Sequence, residues 1–569
     1  MPKIPLIGPS GRGRSFDQNN RRLVNTYLET DADGGKEQVY GVGRMGTKEF
    51  ATTSAAIRGH PIVFGDYAYY VAGDTFYQLS SDGTETSKGT LTSNSGYNIG
   101  MVRNRSQILI VDGTQEMFVY YVLAMGGVAA GTFATVGYYS TEVDVTAITV
   151  ADAPTHKYNV AAEDHGGATN DYALLAGTTN FNGVYQITKV DADNFTIIDA
   201  DDPAAEPTLT AATAQMRSNA LTIQPTQCAY MDGYGIVTNA RTNASDAVHP
   251  GQWYISAADD FSTWDATDVA VAQRNPDDLL ALRAVGGDLQ LYGAESLEHY
   301  YNAGSTDNPF EPTRAAATPW GIEAPWTLAE VGDGTVWVGR RPNGTATVLL
   351  MEGYLPREIA SRAVLYRLSQ ATSAQRLAAT AFSFRDEGHD FYVLAFASET
   401  WVYDHAESAR IGTPVWSEWT TYNGTTYVQF LGKWYVNAWG KHLVSDRTNA
   451  RLLELDHDTY VDTEAGTSRA VQRLLVTGYV KSEDKAMFHS RVYVDMEHSG
   501  TGSLLLESSD DGGDTWADHG SFTLSSTDAR PEWFQLGLAR TDRVYRLTTT
   551  DAMKFVILAM YLDAEPGEH

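Results

Sequence analysis

Residue types able to do chemistry are plentiful in this chain, and their spacing limits what they could do. Gly41, Gly43 and Gly46 keep the spacing of a dinucleotide fingerprint, and Asp66 stands about where a ribose-binding acid is sought. That chemistry needs an apolar parallel strand leading in and a helix following, so that the pyrophosphate meets a helix N-terminus. Neither pattern is present, and Asp66 falls in a turn between strands, so these read as glycines of a turning loop. Ser509 to Trp516 has the form of an Asp-box, in which Asp511 would hold a turn through backbone N–H groups while Trp516 packs beneath it. Carboxylate pairs of the kind that cleave glycosides could be drawn from Asp259 and Asp260, Asp277 and Asp278, or Asp456 and Asp458. With 71 Asp and Glu in one chain such pairs are inevitable and carry almost no information. His457 would alternate faces with Asp456 and Asp458 on a strand, against a joint metal site. No His-Glu-x-x-His and no phosphate-binding Gly-x-x-x-x-Gly-Lys-Ser/Thr is present. Cys228 is alone, which excludes an intramolecular disulfide and a cysteine-based zinc cluster. No catalytic set, metal site or cofactor site emerges, and the reading is of a protein that is not an enzyme.

The elements that would position these residues are strands. From about Gln38 onward, short runs of Val, Ile, Tyr, Trp and Phe alternate with Gly, Asp and Asn turns. Ala68 to Leu79, Gln107 to Tyr120 and Phe391 to Asp404 each read as strand, tight polar turn and returning strand. Similar units recur near Tyr234 to Ser256, Leu289 to Tyr301, Thr335 to Leu350 and Trp434 to Leu455, at roughly 40 to 50 residues apiece, the rhythm of propeller blades. The fold class is therefore all-β, a β-propeller of six or seven blades. Two stretches break the rhythm. Residues 126–218, rich in Ala, Thr, Gly and Asp, read as an inserted small β domain with turns at Asn182-Gly183 and Asp193-Asn194. Between Pro356 and Leu377 a short amphipathic helix is predicted, with Ile359, Ala363, Tyr366 and Leu377 sharing part of one face. After about Thr463 longer alternating strands read as a C-terminal β-sandwich. The division expected is 1–37 basic arm and leading strand, 38–125 propeller, 126–218 insertion, 219–462 propeller, 463–569 sandwich.

Charge narrows the partners. A formal net charge of -30 argues against coating nucleic acid, which needs cations to release counterions from phosphate. The exception is the first 22 residues, where Lys3, Arg12, Arg14, Arg21 and Arg22 face only Asp17. Two readings stay open there: a solvated basic arm, or an arm in which Arg12, Arg14, Arg21 and Arg22 dock on an acidic neighbour. The proline-broken start is too short for the apolar core of a signal peptide, and no run of about 18 apolar residues occurs, so the expectation is a soluble protein made in a cytoplasm.

One long stretch carries a family resemblance. The run from His249 through Trp253, Tyr254, Ile255, Ser256, Asp259 and Asp260 to Trp264, followed by Asn275 to Gly304 with Glu295-Ser-Leu-Glu-His-Tyr300, resembles the packaged-DNA stabilisation or tail accessory proteins of short-tailed bacteriophages. Gly321 to Trp326, Val336 to Arg340, Arg357 to Val364 and the opening Arg22 to Glu29 are similar to further elements of the same proteins. The likeness covers about 21–120 and 224–458, more loosely the C-terminal domain, and not the insertion. It implies a structural virion protein of a phage tail, a hub or nozzle assembled in the host cytoplasm. Six identical subunits would form a ring below the portal and adaptor, with genomic double-stranded DNA passing through and a needle, fibre or spike at the tip. The competing reading is a glycan-binding or sialidase-like propeller, because the Asp-box pattern is familiar from sialidases. Such a site also needs an arginine cluster and a tyrosine beside a carboxylate, and no residue set here marks one.

Overall fold

The computed structural model describes residues 3–4, 7–15, 18–31, 37–91, 96–114, 116–136, 142–199, 203–217, 224–238, 251–272, 277–305, 308–313, 317–340, 344–464, 466–480, 486–525 and 530–566. Seven antiparallel sheets follow one another as blades: 62–90, 100–136, 228–271, 279–312, 321–358, 380–418, and 432–456 completed by 46–52. The chain is an all-β propeller, of seven blades.

Period-two alternation builds the ring. In the strand Gln107–Val111 every residue is buried, because both faces meet a neighbouring blade. Ile108 and Ile110 pack with Tyr69, Val71 and Phe76 of blade 1, while Leu109 and Val111 pack with Val237, Tyr254 and Phe261 of blade 3. Blade 5 repeats the device, with Trp337 against Tyr292 of blade 4 and Val336 and Val338 against Tyr392 and Leu394 of blade 6. The circle closes where Trp434, Val436, Leu443 and Leu452 of blade 7 pack on Ala68, Tyr70 and Leu79 of blade 1. Closure is also covalent in effect, because Gly46–Thr52, early in the chain, pairs antiparallel with Arg451–Asp456 as the outermost strand of blade 7. Gly46 has to be glycine: a Cβ there would stand 2.3 Å from the Thr459 carbonyl oxygen.

The insertion, Val143–Asp152 to Ala212–Arg217, is one seven-stranded sheet with its own core of Val145, Ile148, Tyr158, Val160, Leu175 and Phe195. The predicted helix is two short ones, Arg362–Gln370 capped by Ser361 and Ser373–Leu377 capped by Thr372. Ile359 and Ala363 are buried, but the inward face continues through Val364 and Leu368, and Leu377 is exposed because the chain turns between the helices.

The C-terminal sandwich begins earlier in sequence than expected. Its strands from Arg473–Val476 to Phe555–Pro566 are joined by Arg22–Val24, Thr26–Thr30 and Val39–Gly43, so these three are strands of the sandwich and not part of an arm or of the first propeller segment. Leu23 and Leu28 lie in a shared core with Leu475, Val492, Leu506, Trp533 and Ile557. The same Arg22–Val24 strand also runs parallel to the outer strand of blade 6, Val24 opposite Glu418, so one nine-stranded sheet spans both domains.

Where the two domains and the closing strand cross, the Arg44 side chain is 0% exposed and that of Asp462 3%. All five N–H groups of the guanidinium are used: to Asn25 Oδ1 at 2.8 Å, to the carbonyls of Met45 at 2.7 Å and Thr420 at 2.9 Å, and to the two Asp462 oxygens at 3.0 and 2.5 Å. The cation also lies over Phe430 at 4.9 Å. Breaking such a pair from one side leaves a buried charge without a partner. Arg44→Met is expected to destabilise the protein by about 3–5 kcal/mol, and Arg44→Met with Asp462→Leu by less than that. Urea unfolding of the two variants checks this; equal losses, or a loss under about 1 kcal/mol in the single variant, would contradict the role given to the pair.

Candidate functional site

Of the four arginines for which docking or a solvated arm stayed open, Arg12, Arg21 and Arg22 are partly buried within the chain. Arg22 grips Glu418 with two hydrogen bonds, at 3.1 and 2.6 Å. Its pKa is raised, chiefly by the Glu418 charge. Arg21 lies between Gly8 and Gly478, where a Cβ on either would stand within 3.0 Å of its guanidinium. Burial lowers the pKa of both Arg21 and Arg12. Ser10 N–H donates to the Trp416 carbonyl at 2.8 Å, Gly11 N–H to that of Arg21 at 3.0 Å, and Gly13 is buried against the Arg362 backbone. Residues 8–14 are thus packed along the junction of blade 6 and the sandwich, and of the four arginines Arg14 alone is exposed. Asp17 lies outside the described residues. The solvated arm is corrected for residues 8–14: backbone contacts and the Arg22–Glu418 pair beside them hold the segment down.

The other motifs do local work. Asp511 accepts from the N–H groups of Asp514 and Thr515 and from the hydroxyls of Ser509 and Thr515, and these bonds hold its carboxyl well below the usual range. Trp516 lies under the turn, with the Arg546 guanidinium 4.1 Å from its ring centre. The box sits in a sandwich hairpin, between Gly502–Ser509 and Ala517–Leu524. Asp277 holds the N–H groups of Glu295 and Ser296, and Asp260 holds a turn through Ser262 and Thr263. Gly41, Gly43 and Gly46 are strand glycines with neighbouring chain close against them. Among the described residues no group of three or more His, Cys, Asp or Glu is placed to hold a metal ion.

Two concavities stand out among the described residues. The first is the propeller's central cavity, about 920 Å³, lined by residues of all seven innermost strands and the turns beside them. Near where those strands begin, Trp326 of blade 5 reaches past blade 6 to meet Trp434 of blade 7 edge-on at 5.7 Å. His60 packs on the same Trp434 at 4.9 Å, and burial pushes its pKa down to about 4. Cys228 lines the cavity, and burial raises its thiol well above the usual range, which keeps it a protonated, unreactive group. The second is an open acidic groove of about 610 Å³ on blades 5 and 6, where Asp333, Glu352, Asp386, Glu387 and Asp390 meet Arg385 and His405. Neither could be read from sequence, because each gathers residues from several blades.

Exposed apolar side chains cluster on the sandwich. Phe488 stands directly opposite Leu538, and Phe534 lies on the same strand, Glu532–Ala539, at the edge of its sheet. They are 46%, 43% and 63% exposed, enough to make this face a candidate contact surface.

At the rim of the acidic groove, His457 Nε2 lies 2.6 Å from Asp386 Oδ2 and His442 Nε2 3.6 Å from Asp386 Oδ1, a clasp between blades 6 and 7. Burial would raise the Asp386 pKa, but the two imidazoles hold it well below the usual carboxylate range. The hydrogen bond to Asp386 raises the pKa of His457. Asp386 therefore stabilises above its unfolded value of about 4, and that share is lost as pH falls through its lowered folded value. His457 stabilises fully below its unfolded value of about 6.5, and that share is lost as pH rises through its raised folded value. His457 is 39% exposed, so solvent screening keeps the contribution within about 1 kcal/mol. Comparing urea unfolding of wild type and His457→Gln at pH 5.5 and 8.5 should show a gap at the lower pH that shrinks at the higher; a gap independent of pH would refute the assignment.

Comparison with known proteins gives one sequence-level match. Residues 204–460 match the family model described as Bacteriophage P22 Gp10, beta-propeller. That span takes in blades 3 to 6 and the chain's own three strands of blade 7. No curated protein matches the sequence. Similar solved structures include the computationally designed Ika8 protein, at 9% identity over 72% of this chain and 99% of that one, with a TM-score of 0.30. The C-terminal WD40 domain of Sif2 is 8% identical over 72% and 98%, with a TM-score of 0.31. Kluyveromyces lactis Hsv2 is 8% identical over 65% and 98%, with a TM-score of 0.25. At those scores the structural likenesses bear no functional argument.

Proposed function

We propose, from the premise that residues 204–460 belong to the phage stabilisation family of beta-propellers, that this virion protein is the hub of a short phage tail and has no catalytic role. The family match carries the reading, and the structure is compatible with it in three respects. A propeller closed by its own N-terminal strand and sharing a sheet with its sandwich is a rigid block, suited to a wall under load. Its central cavity, about 920 Å³ and spanned at one end by Trp326, is far too small to admit a duplex. A DNA path therefore has to run between subunits, which calls for a closed ring with heterologous contacts; six copies is the number the family resemblance implies. The charge of -30 per chain gives such a lumen a negative wall, which repels phosphate at the short distances where salt screens least.

In this reading the ring sits below portal and adaptor proteins, carries a needle, fibre or spike at its tip, and retains DNA by steric closure. Residues 8–14, with the exposed Arg14, and the apolar face of Phe488, Phe534 and Leu538 are its two candidate contact surfaces. A glycan-cleaving propeller is the alternative, and turnover of sialosides or polysaccharides that disappears on mutating one acid would favour it.

Negative-stain imaging of the purified protein should show rings, and Phe534→Asp with Leu538→Asp should leave single subunits with unchanged urea midpoints. Duplex DNA should show no saturable binding to the ring at physiological salt. Micromolar binding that weakens steeply with salt, or a wild type that stays monomeric at high concentration, would overturn the proposal.

A further inference from the structure

The central cavity is chemically unlike the rest of the molecule. In a chain of net charge -30 its lining holds Arg103, Arg105 and Arg283 against a single carboxylate, Glu330. Glu330 is already committed, 2.8 Å from Arg283. Arg103 and Arg105 make no ion pair among the described residues, although Arg22, Arg44, Arg376, Arg451, Arg491 and Arg543 each find a carboxylate. Arg103 has only the face of Phe64, 5.4 Å away. Two cations two residues apart, at the end of the innermost strand Gly100–Arg103 and just beyond it, with no carboxylate paired to them among the described residues, are a ready anion site.

Elsewhere in the same cavity the lining becomes aromatic. Trp326 and Tyr435 are half-buried around it. From Gly100 to Arg103 the innermost strand rises about 10 Å. The cavity's volume, about 920 Å³, is within the range of small-ligand sites.

We propose that the propeller cavity binds a small organic anion of nucleoside-phosphate type, its phosphates on Arg103 and Arg105 and its ring against Trp326 and Tyr435. This assignment stands apart from ring assembly, because every residue it uses belongs to one chain's own propeller.

The test is calorimetric titration of the full chain with ATP, adenosine and tripolyphosphate. ATP should bind saturably, and Arg103→Gln with Arg105→Gln should weaken it at least tenfold. Both arginines are exposed, so the double variant should keep the wild-type circular dichroism and urea midpoint. Trp326→Phe should weaken ATP about threefold or more while leaving tripolyphosphate unchanged, and Arg540→Gln, on the sandwich, should change neither. Absence of saturable ATP binding, or a double variant within twofold of wild type, would overturn the site. Tripolyphosphate binding as tightly as ATP would overturn the aromatic half of the assignment. Ring assembly measured on the same samples keeps the two proposals distinguishable.

Discussion

The architecture hangs on one buried cation. Arg44 sits between the sandwich strand Val39–Gly43 and the closing strand Gly46–Thr52, and its guanidinium binds Asn25 from the sandwich, Thr420 from the chain leaving blade 6 and Asp462 from the chain leaving blade 7. A planar group with five directed donors suits a point where three backbones converge, because each donor fixes a different segment. Hydrophobic packing alone would bring blades 6 and 7 and the sandwich together without dictating how they meet. The hydrogen-bonded cation supplies that direction, and Asn25, with its positive φ of 52°, is bent into place beside it.

Much of the fold could be read from the amino-acid sequence, for a reason visible in particular residues. The runs Gln107–Val111 and Met117–Tyr121 are continuous and apolar because both faces of an inner blade strand are covered, and the polar turns between strands mark the hairpins. Blade count stayed between six and seven because the last blade borrows its outer strand from residues 46–52, some 400 positions away, and no local pattern announces such a loan. Residues 22–43 misled for a related reason. Their residue types allow strands without saying which sheet, and the two sheets they join are completed by blade 6 and by strands of the last hundred residues.

The candidate sites were less legible. The arginines near the N-terminus stood out as a charge run, yet the Glu418 that holds Arg22 comes from a strand far along the chain, so sequence could not distinguish a docking arm from a structural seam. The cavity gathers its lining at intervals of a whole blade, with single residues such as Arg103, Gln227 and Trp326 contributed from three of them. Spaced so widely, they form no motif. One signal was available: Arg103 and Arg105 lie in a segment with no acid between Gly83 and Val111 except Glu85, unusual in a chain this acidic.

Joining the chain's beginning to its end also sets the order in which the molecule can mature. At roughly ten residues per second, synthesis of the whole chain takes on the order of a minute, and for most of that time the strands Arg22–Val24 and Gly46–Thr52 wait for their partners. The Arg22–Val24 strand needs Glu418 and Leu475, and Gly46–Thr52 needs Leu452 to Asp456. Until then the ribosome carries an open arc of blades with an unpaired edge and an exposed apolar flank. A competent subunit therefore exists only after its last hundred residues have left the ribosome, because a chain ending before Arg473 can latch its blades through residues 451–456 but lacks the strands that complete the sandwich around residues 22–30 and 39–43.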